Sequence, residues 1–288
     1  MKERHMSEST ELTKAQAKEL AALYSNTGIE DRIGEGQEGA SAGDYAMPFL
    51  ALLQSGSPQV KRTDPRYMPE AREGMLMNTV DHELFDTENG GITVVPCAYR
   101  RAFVEWRTRE SGGGYVKEHD PSKVVQDNDR NFHIDGVGST FRDDKNRDIL
   151  RENGNEIKDT RYWYVLVLRD DGTAEPAVIG MTRTQVKPSQ TWFNTAAKNI
   201  WPDGVKRAGA PPLYVWTYRI GVKPQQKDDH SFWNFTVQRG LGVTDPAVLN
   251  AAMQLHDSVK AGSVREATDT LRTTESDSEA TESAAENY

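Results

Sequence analysis

Residues 161–183 decide the fold: Arg161-Tyr162-Trp163-Tyr164-Val165-Leu166-Val167-Leu168-Arg169, then Asp170-Asp171-Gly172, then Thr173-Ala174-Glu175-Pro176-Ala177-Val178-Ile179-Gly180-Met181-Thr182-Arg183. The first run is an unbroken aromatic and apolar block, which reads as a strand buried on both faces. Asp170-Asp171-Gly172 carries the Asp-Gly signal of a hairpin turn. The return strand covers about 174–183. On the N-terminal side, Asn89-Gly90-Gly91 is a turn that opens a long β-rich strand over 92–107. Between them, 108–158 is polar, rich in Asp, Asn and Arg, and reads as a long insertion with at most one short strand or helix. On the C-terminal side, Pro188 to Ile200 has helical spacing at Trp192, Phe193, Ala196, Ala197 and Ile200. Strands follow at 213–222 and 231–240, and Thr244-Asp245-Pro246 opens a helix to about Lys260. The order from 92 to 240 is strand, long loop, strand, strand, helix, strand, strand. It predicts a mainly β fold with a few helices: an OB-like five-stranded barrel with one helix between strands three and four. A β-sandwich with one inserted helix shares that order.

The flanks differ in composition. Residues 1–12 read as a polar arm, 13–25 as a short amphipathic helix behind a Thr13–Gln16 capping box, and 26–44 as a linker. Residues 46–260 read as one globular domain. It begins with an N-terminal extension, where the apolar stretch in 47–60 is too short to assign and Met75 to Phe85 suggests a brief hairpin. Residues 261–288 are Ser, Thr, Glu, Ala and Asp with almost nothing to bury, so a disordered acidic tail is expected.

The formal net charge of −9 is concentrated at the ends. Residues 1–45 hold 5 Lys/Arg and 9 Asp/Glu, residues 261–288 hold 2 and 7, and residues 46–260 hold 28 of each. Within that neutral body, 181–240 holds 9 basic and 3 acidic residues together with 9 aromatics. No run approaches the ~18 apolar residues of a membrane helix, and no apolar segment follows the N-terminus to suggest a secretory signal. Cys97 is the single cysteine, which excludes an internal disulfide framework and fits a reducing compartment.

Catalytic signatures are sparse. No nucleophile elbow or phosphate-cradling Gly-rich loop occurs. The six histidines have no metal-ligand spacing on one element, and His119-Asp120 and His133-Ile134-Asp135 are isolated pairs in a polar stretch. Cys97 lies mid-strand and reads as a small core residue. The sequence predicts neither cofactor nor metal, and no enzyme.

Binding is better supported. Single-stranded nucleic acid requires cations for phosphates and flat rings for bases. In the first strand Tyr99, Arg101 and Phe103, continued by Arg107, alternate ring and cation on one face, opposite Ala98, Ala102, Val104 and Trp106. Arg183, Lys187, Trp192, Lys198, Lys206, Arg207, Arg219, Lys223 and Phe232 complete the candidate surface. Trp163, Trp216 and Trp233 are assigned to the core. A flexible polyanion tethered to such a groove competes for it at high effective concentration.

This combination, an OB-like order followed by an acidic terminus ending in an aromatic, resembles the phage-encoded single-stranded DNA-binding proteins across 92–288. A second resemblance rests on Pro48-Phe49-Leu50, Leu53-Gln54, Ser57-Pro58-Gln59-Val60, Gly74-Met75, Asn78-Thr79-Val80, Leu84-Phe85-Asp86, Thr93-Val94-Val95-Pro96 and Glu105-Trp106. These are similar to a widespread group of uncharacterised tailed-phage proteins. The first resemblance implies a non-catalytic protein that coats single-stranded DNA during phage replication or recombination in the cytoplasm of the infected bacterial host. It also implies that the tail, with Glu275, Asp277, Glu279, Glu282, Glu286 and Tyr288, recruits replication proteins. The alternative from another class is a phage virion or scaffold protein that binds no nucleic acid.

Overall fold

The computed structural model describes residues 14–32, 35–36, 46–88, 90–227, 230–264 and 266. The chain divides into two compact units, 1–45 and 46–288. In the first, helix α1 (Lys14–Thr27) is followed by a 3-10 turn at Ile29–Arg32. Thr13 of the expected capping box, the 1–12 arm and most of the linker lie outside the described residues.

In the second unit, β1 (Leu50–Leu52), β2 (Leu76–Asn78) and β3 (Leu84–Phe85) make a small antiparallel sheet. Among the described residues the main sheet has ten strands. Its axis is a ribbon of two long strands, β4 (Ile92–Trp106) and β10 (Glu156–Leu168), paired antiparallel from Thr93–Leu168 to Trp106–Glu156. Between them the chain forms β5 (Tyr115–His119), β6 (Val124–Gln126), β7 (Phe132–Ile134), β8 (Gly138–Arg142) and β9 (Asp148–Leu150). Then come β11 (Ala174–Met181), helix α2 (Val186–Ala196), the hairpin β12 (Trp216–Lys227) and β13 (His230–Gly242), and helix α3 (Pro246–Lys260).

Local chemistry explains the ribbon. Pro96 has no N–H to give a ladder, and it stands at a bulge: Ala98 pairs with Tyr164 and Pro96 with Val165, so Cys97 is the extra residue. The bulge reverses which side chains of β4 face which layer. Val94 before it and Tyr99 after it both face α2, with Trp163, Val165 and Val167 of β10. The opposite face carries Val95 and Cys97 against Val248, Ala252 and Leu255 of α3, and Ala98, Ala102, Val104 and Trp106 against Phe49, Tyr162 and Tyr164. At the start of β4, Gly91 (φ +77) passes so close to β12 that a Cβ would lie 1.9 Å from the Ile220 carbonyl oxygen. The Asp170-Asp171-Gly172 turn closes the β10–β11 hairpin, with the Thr173 N–H donating to Asp171 Oδ1 at 2.8 Å.

The closed five-stranded barrel does not form. The five strands expected to build it take the order β11-β10-β4-β12-β13 within an open antiparallel sheet, and among the described residues β11 and β13 are not paired as strands. Two physical causes are visible. First, β4 and β10 run well past their neighbours: β12 pairs with β4 only at Ile92–Val94, and β11 with β10 only from Arg161 onward. Their far halves are paired instead with β5 and with the β9-β8-β7-β6 meander. Second, side-chain amides occupy the outer edge of β13. Gln54 bonds both backbone groups of Trp233, and Asn234 Oδ1 accepts from the Phe235 N–H at 2.9 Å.

The 108–158 insertion, expected to hold at most one short element, contains five strands of three to five residues. Its Asp/Asn richness is turn chemistry. Asp127 and Asp143 each open a five-residue turn in which the carboxylate accepts the N–H four residues on, from Asn131 at 2.8 Å and Arg147 at 2.7 Å. The fourth residues, Arg130 (φ 67) and Asn146 (φ 55), adopt the left-handed conformation. The meander buries Phe132, Ile134 and Leu150 against Phe103 and Ile157 of the ribbon.

Candidate nucleic-acid interface

The α2 face of the ribbon changes character along its length. Near the hairpin end it is apolar, and it becomes polar toward Trp106. At the transition a chain of contacts reaches the surface. Phe193, on the first turn past the middle of α2, is 41% exposed, and its ring centroid lies 5.0 Å from that of Tyr99. Beneath them Tyr99 packs on Trp163 at 4.9 Å, and Trp163 stacks on Trp192 at 4.0 Å with planes 9° apart. Arg161 Nη1 reaches the Tyr99 hydroxyl at 3.4 Å, and its Nη2 donates to Asp159 Oδ2 at 2.8 Å. Arg101 grips the same carboxylate with two bonds of 2.9 Å and lies 4.7 Å over the Phe103 ring. Register builds this: Arg101 pairs with Arg161 and Phe103 with Asp159 across β4 and β10, so all four project from one face. The result is two half-exposed rings beside two guanidiniums that share one carboxylate.

Farther along the same face Glu105 is buried. Burial opposes its charge, but hydrogen bonds from Asn155 (2.6 Å), His119 (2.8 Å) and Asn153 (2.9 Å) outweigh that and hold the carboxyl below its ordinary value. Asp148 behaves in the opposite way. Burial, with Glu156 close by, pushes it up to about 6 despite Arg142 and Arg183.

Of the residues singled out in the sequence, Tyr99 and Arg101 come together here. Phe103 is buried, edge-on to Phe132 at 4.9 Å, and Arg107 is exposed just beyond β4. Trp192 is fully buried, so its ring offers no platform to a base. Arg183 turns to the buried Glu156 at 2.6 Å. Lys187 is exposed in the first turn of α2 and Lys198 just past its end. Lys206 is exposed in the following loop, where Arg207 pairs with Asp203 and lies 4.1 Å over Trp201. Arg219 and Lys223 are exposed on β12, Arg219 bonding the Gly90 carbonyl at 3.1 Å, and Phe232 is half-buried on β13. Trp163 is core, whereas Trp216 and Trp233 are half-buried. Glu275, Asp277, Glu279, Glu282, Glu286 and Tyr288 lie outside the described residues.

Two members of the site, Arg161 and Asp159, are missed by reading the sequence alone, and Phe193 enters that reading only as the neighbour of Trp192. The signal lies in Ile157-Lys158-Asp159-Thr160-Arg161-Tyr162-Trp163, which alternates across the strand once β10 is extended back from 161 to 156.

The described residues hold no cluster of three or more His, Cys, Asp or Glu able to bind a metal, and no helix among them is long and apolar enough to cross a membrane. Burial pushes the Cys97 thiol up to about 12, so it stays protonated at neutral pH. An open depression of ≈ 590 Å³ lies over Val125, His133 and Ser139 on the meander, with Lys123 and Glu152 at its sides. No curated protein and no solved structure is similar enough to match. A family model does match, over residues 15–265, most of the chain, and it places the protein among phage proteins: the chain belongs to the Pam3 phage gp34-like protein family.

Proposed function

We propose that this phage protein binds single-stranded DNA without catalysing a reaction, in support of phage DNA replication or recombination in the cytoplasm of the infected bacterial host. The observation that carries the reading is the continuous path Phe193–Tyr99–Arg161–Asp159–Arg101, in which exposed ring surface adjoins cations. A base stacked on Phe193 and Tyr99 would bring its phosphate toward Arg101, and base–aromatic stacking is worth about 1–3 kcal/mol per base. Lys187 and Lys198, exposed in the first turn of α2 and just past its end, add long-range attraction. In this reading the acidic tail, 261–288, competes with DNA for the cationic surface or recruits replication proteins.

A mobility-shift titration of the full chain with labelled poly-dT tests the reading. Binding tighter than about 10⁻⁴ M at low salt, weakening as salt rises with a log–log slope of about −0.7 per phosphate neutralised, supports it. Failure to shift the strand at that concentration, with the protein found instead in purified particles, would favour a virion or scaffold role.

A further inference from the structure

Resting on that reading, we propose that Asp159 is a built-in competitor for nucleic-acid phosphate: it fills the guanidinium fork of Arg101 and sets the affinity of the interface. Arg101 presents Nε and Nη2 to the two carboxylate oxygens at 2.9 Å each. This side-on fork is the arrangement in which arginine also receives two oxygens of a phosphate. The carboxylate is therefore a geometric substitute for the ligand, held by the chain itself.

The exposures say which cation can be exchanged. Arg101's side chain is 39% exposed, Asp159's 19% and Arg161's 8%. Arg161 is bound at 2.8 Å to the same Asp159 oxygen that Arg101 Nη2 uses. When a phosphate arrives, Arg101 can turn outward to it while Arg161 and Asp159 remain a balanced pair. No buried charge is left alone, which would otherwise forbid the exchange. The mechanism is an exchange of anions on Arg101, so each binding event must break one ion pair before it gains another. A purely structural triad, pinning β4 to β10, would make no such contribution to binding.

The test uses the full chain and poly-dT at several salt concentrations. Asp159→Asn is expected to tighten binding roughly two- to fivefold, the value of one half-exposed ion pair no longer broken. The log–log salt slope should stay as in wild type, because Arg101 meets one phosphate in both proteins and the buried Arg161 meets none. The gain should vanish in an Arg101→Gln background, since Arg101 is the group that exchanges. If the single variant fails to fold, Asp159→Asn/Arg161→Gln removes the buried cation with its counter-ion and should show the same gain through Arg101. A folded variant that binds as wild type or more weakly overturns the proposal, as does a gain that survives Arg101→Gln. Wild-type protein that does not bind poly-dT overturns the functional reading itself, and with it this inference.

Discussion

The Gln54 side-chain amide bonds both backbone groups of Trp233: Oε1 accepts from the N–H at 2.8 Å, and Nε2 donates to the carbonyl at 2.9 Å. One side chain thus supplies what a neighbouring strand would give an edge residue. The Trp233 indole completes the junction by lying against Gly74 (φ +84), where a Cβ would come within 2.8 Å of the ring. On the other side of the same segment, the Val178 N–H of β11 donates to the Pro48 carbonyl at 2.8 Å. The 46–88 segment therefore bridges the two edges that a closed barrel would have joined. Gln54→Ala leaves two Trp233 backbone groups without partners and is expected to cost about 1–3 kcal/mol in urea unfolding. Amide exchange at Trp233 should accelerate in the same variant, and unchanged protection there would refute the capping role.

Phe193 and Phe103 should separate binding from folding. Phe193 is 41% exposed, so Phe193→Ala removes ring surface with little loss of packing. It should weaken poly-dT binding by about 1–3 kcal/mol, roughly five- to 150-fold, with a near-native unfolding midpoint. Phe103 is buried between the ribbon and the meander, and Phe103→Ala should cost about 3–5 kcal/mol of stability. Binding losses that follow lost stability, negligible in Phe193→Ala and large in Phe103→Ala, would remove the case for a ring platform at Phe193.

The parts of this fold that are legible in the sequence are those fixed by local chemistry. The β10–β11 hairpin follows from an apolar run and an Asp-Gly turn, and α2 and α3 from helical spacing. Tyr99 and Arg101 share a face because strands alternate. The remainder depends on distant partners. Strands β6, β7 and β9 have three residues each, too few for a two-residue period to show among turn residues. Without that layer, Phe103 reads as an outward ring. Asp159 lies 58 positions from Arg101, and register alone brings them together. Closure by Gln54 across 179 positions leaves no periodic trace at all.

Asp148 should make stability fall as pH rises. Its carboxyl titrates at about 6 in the folded chain against an ordinary value of 3.8, so folding takes up a proton between these values. The contribution is complete below about 4 and is lost as pH climbs through about 6. Above that the buried carboxylate costs about 3 kcal/mol, because each tenfold change in proton affinity is worth about 1.4 kcal/mol. Asp148→Asn is expected to be more stable than wild type at about pH 8 and to lose that advantage at about pH 4. Parallel stability–pH curves for the two proteins, from urea unfolding, would contradict this.

Glu105 should do the reverse. Its carboxyl titrates below its ordinary value in the folded chain because Asn155, His119 and Asn153 bind the charged form. The stability it provides is therefore present above the unfolded value and is lost as pH falls through the lower folded one. Glu105→Gln replaces an acceptor with an amide N–H that faces other donors, and it strips His119 of its carboxylate. Leaving buried donors without an acceptor costs about 1–3 kcal/mol. The variant should unfold at lower urea at neutral pH, and its stability should vary less with pH over the acid range. Asn153 and Asn155 belong to the turn between β9 and β10, so loosening should appear first there, as faster amide exchange at 153–155 than at Trp163. Exchange that rises uniformly across β10 would mean that Glu105 supports the whole ribbon and not that turn.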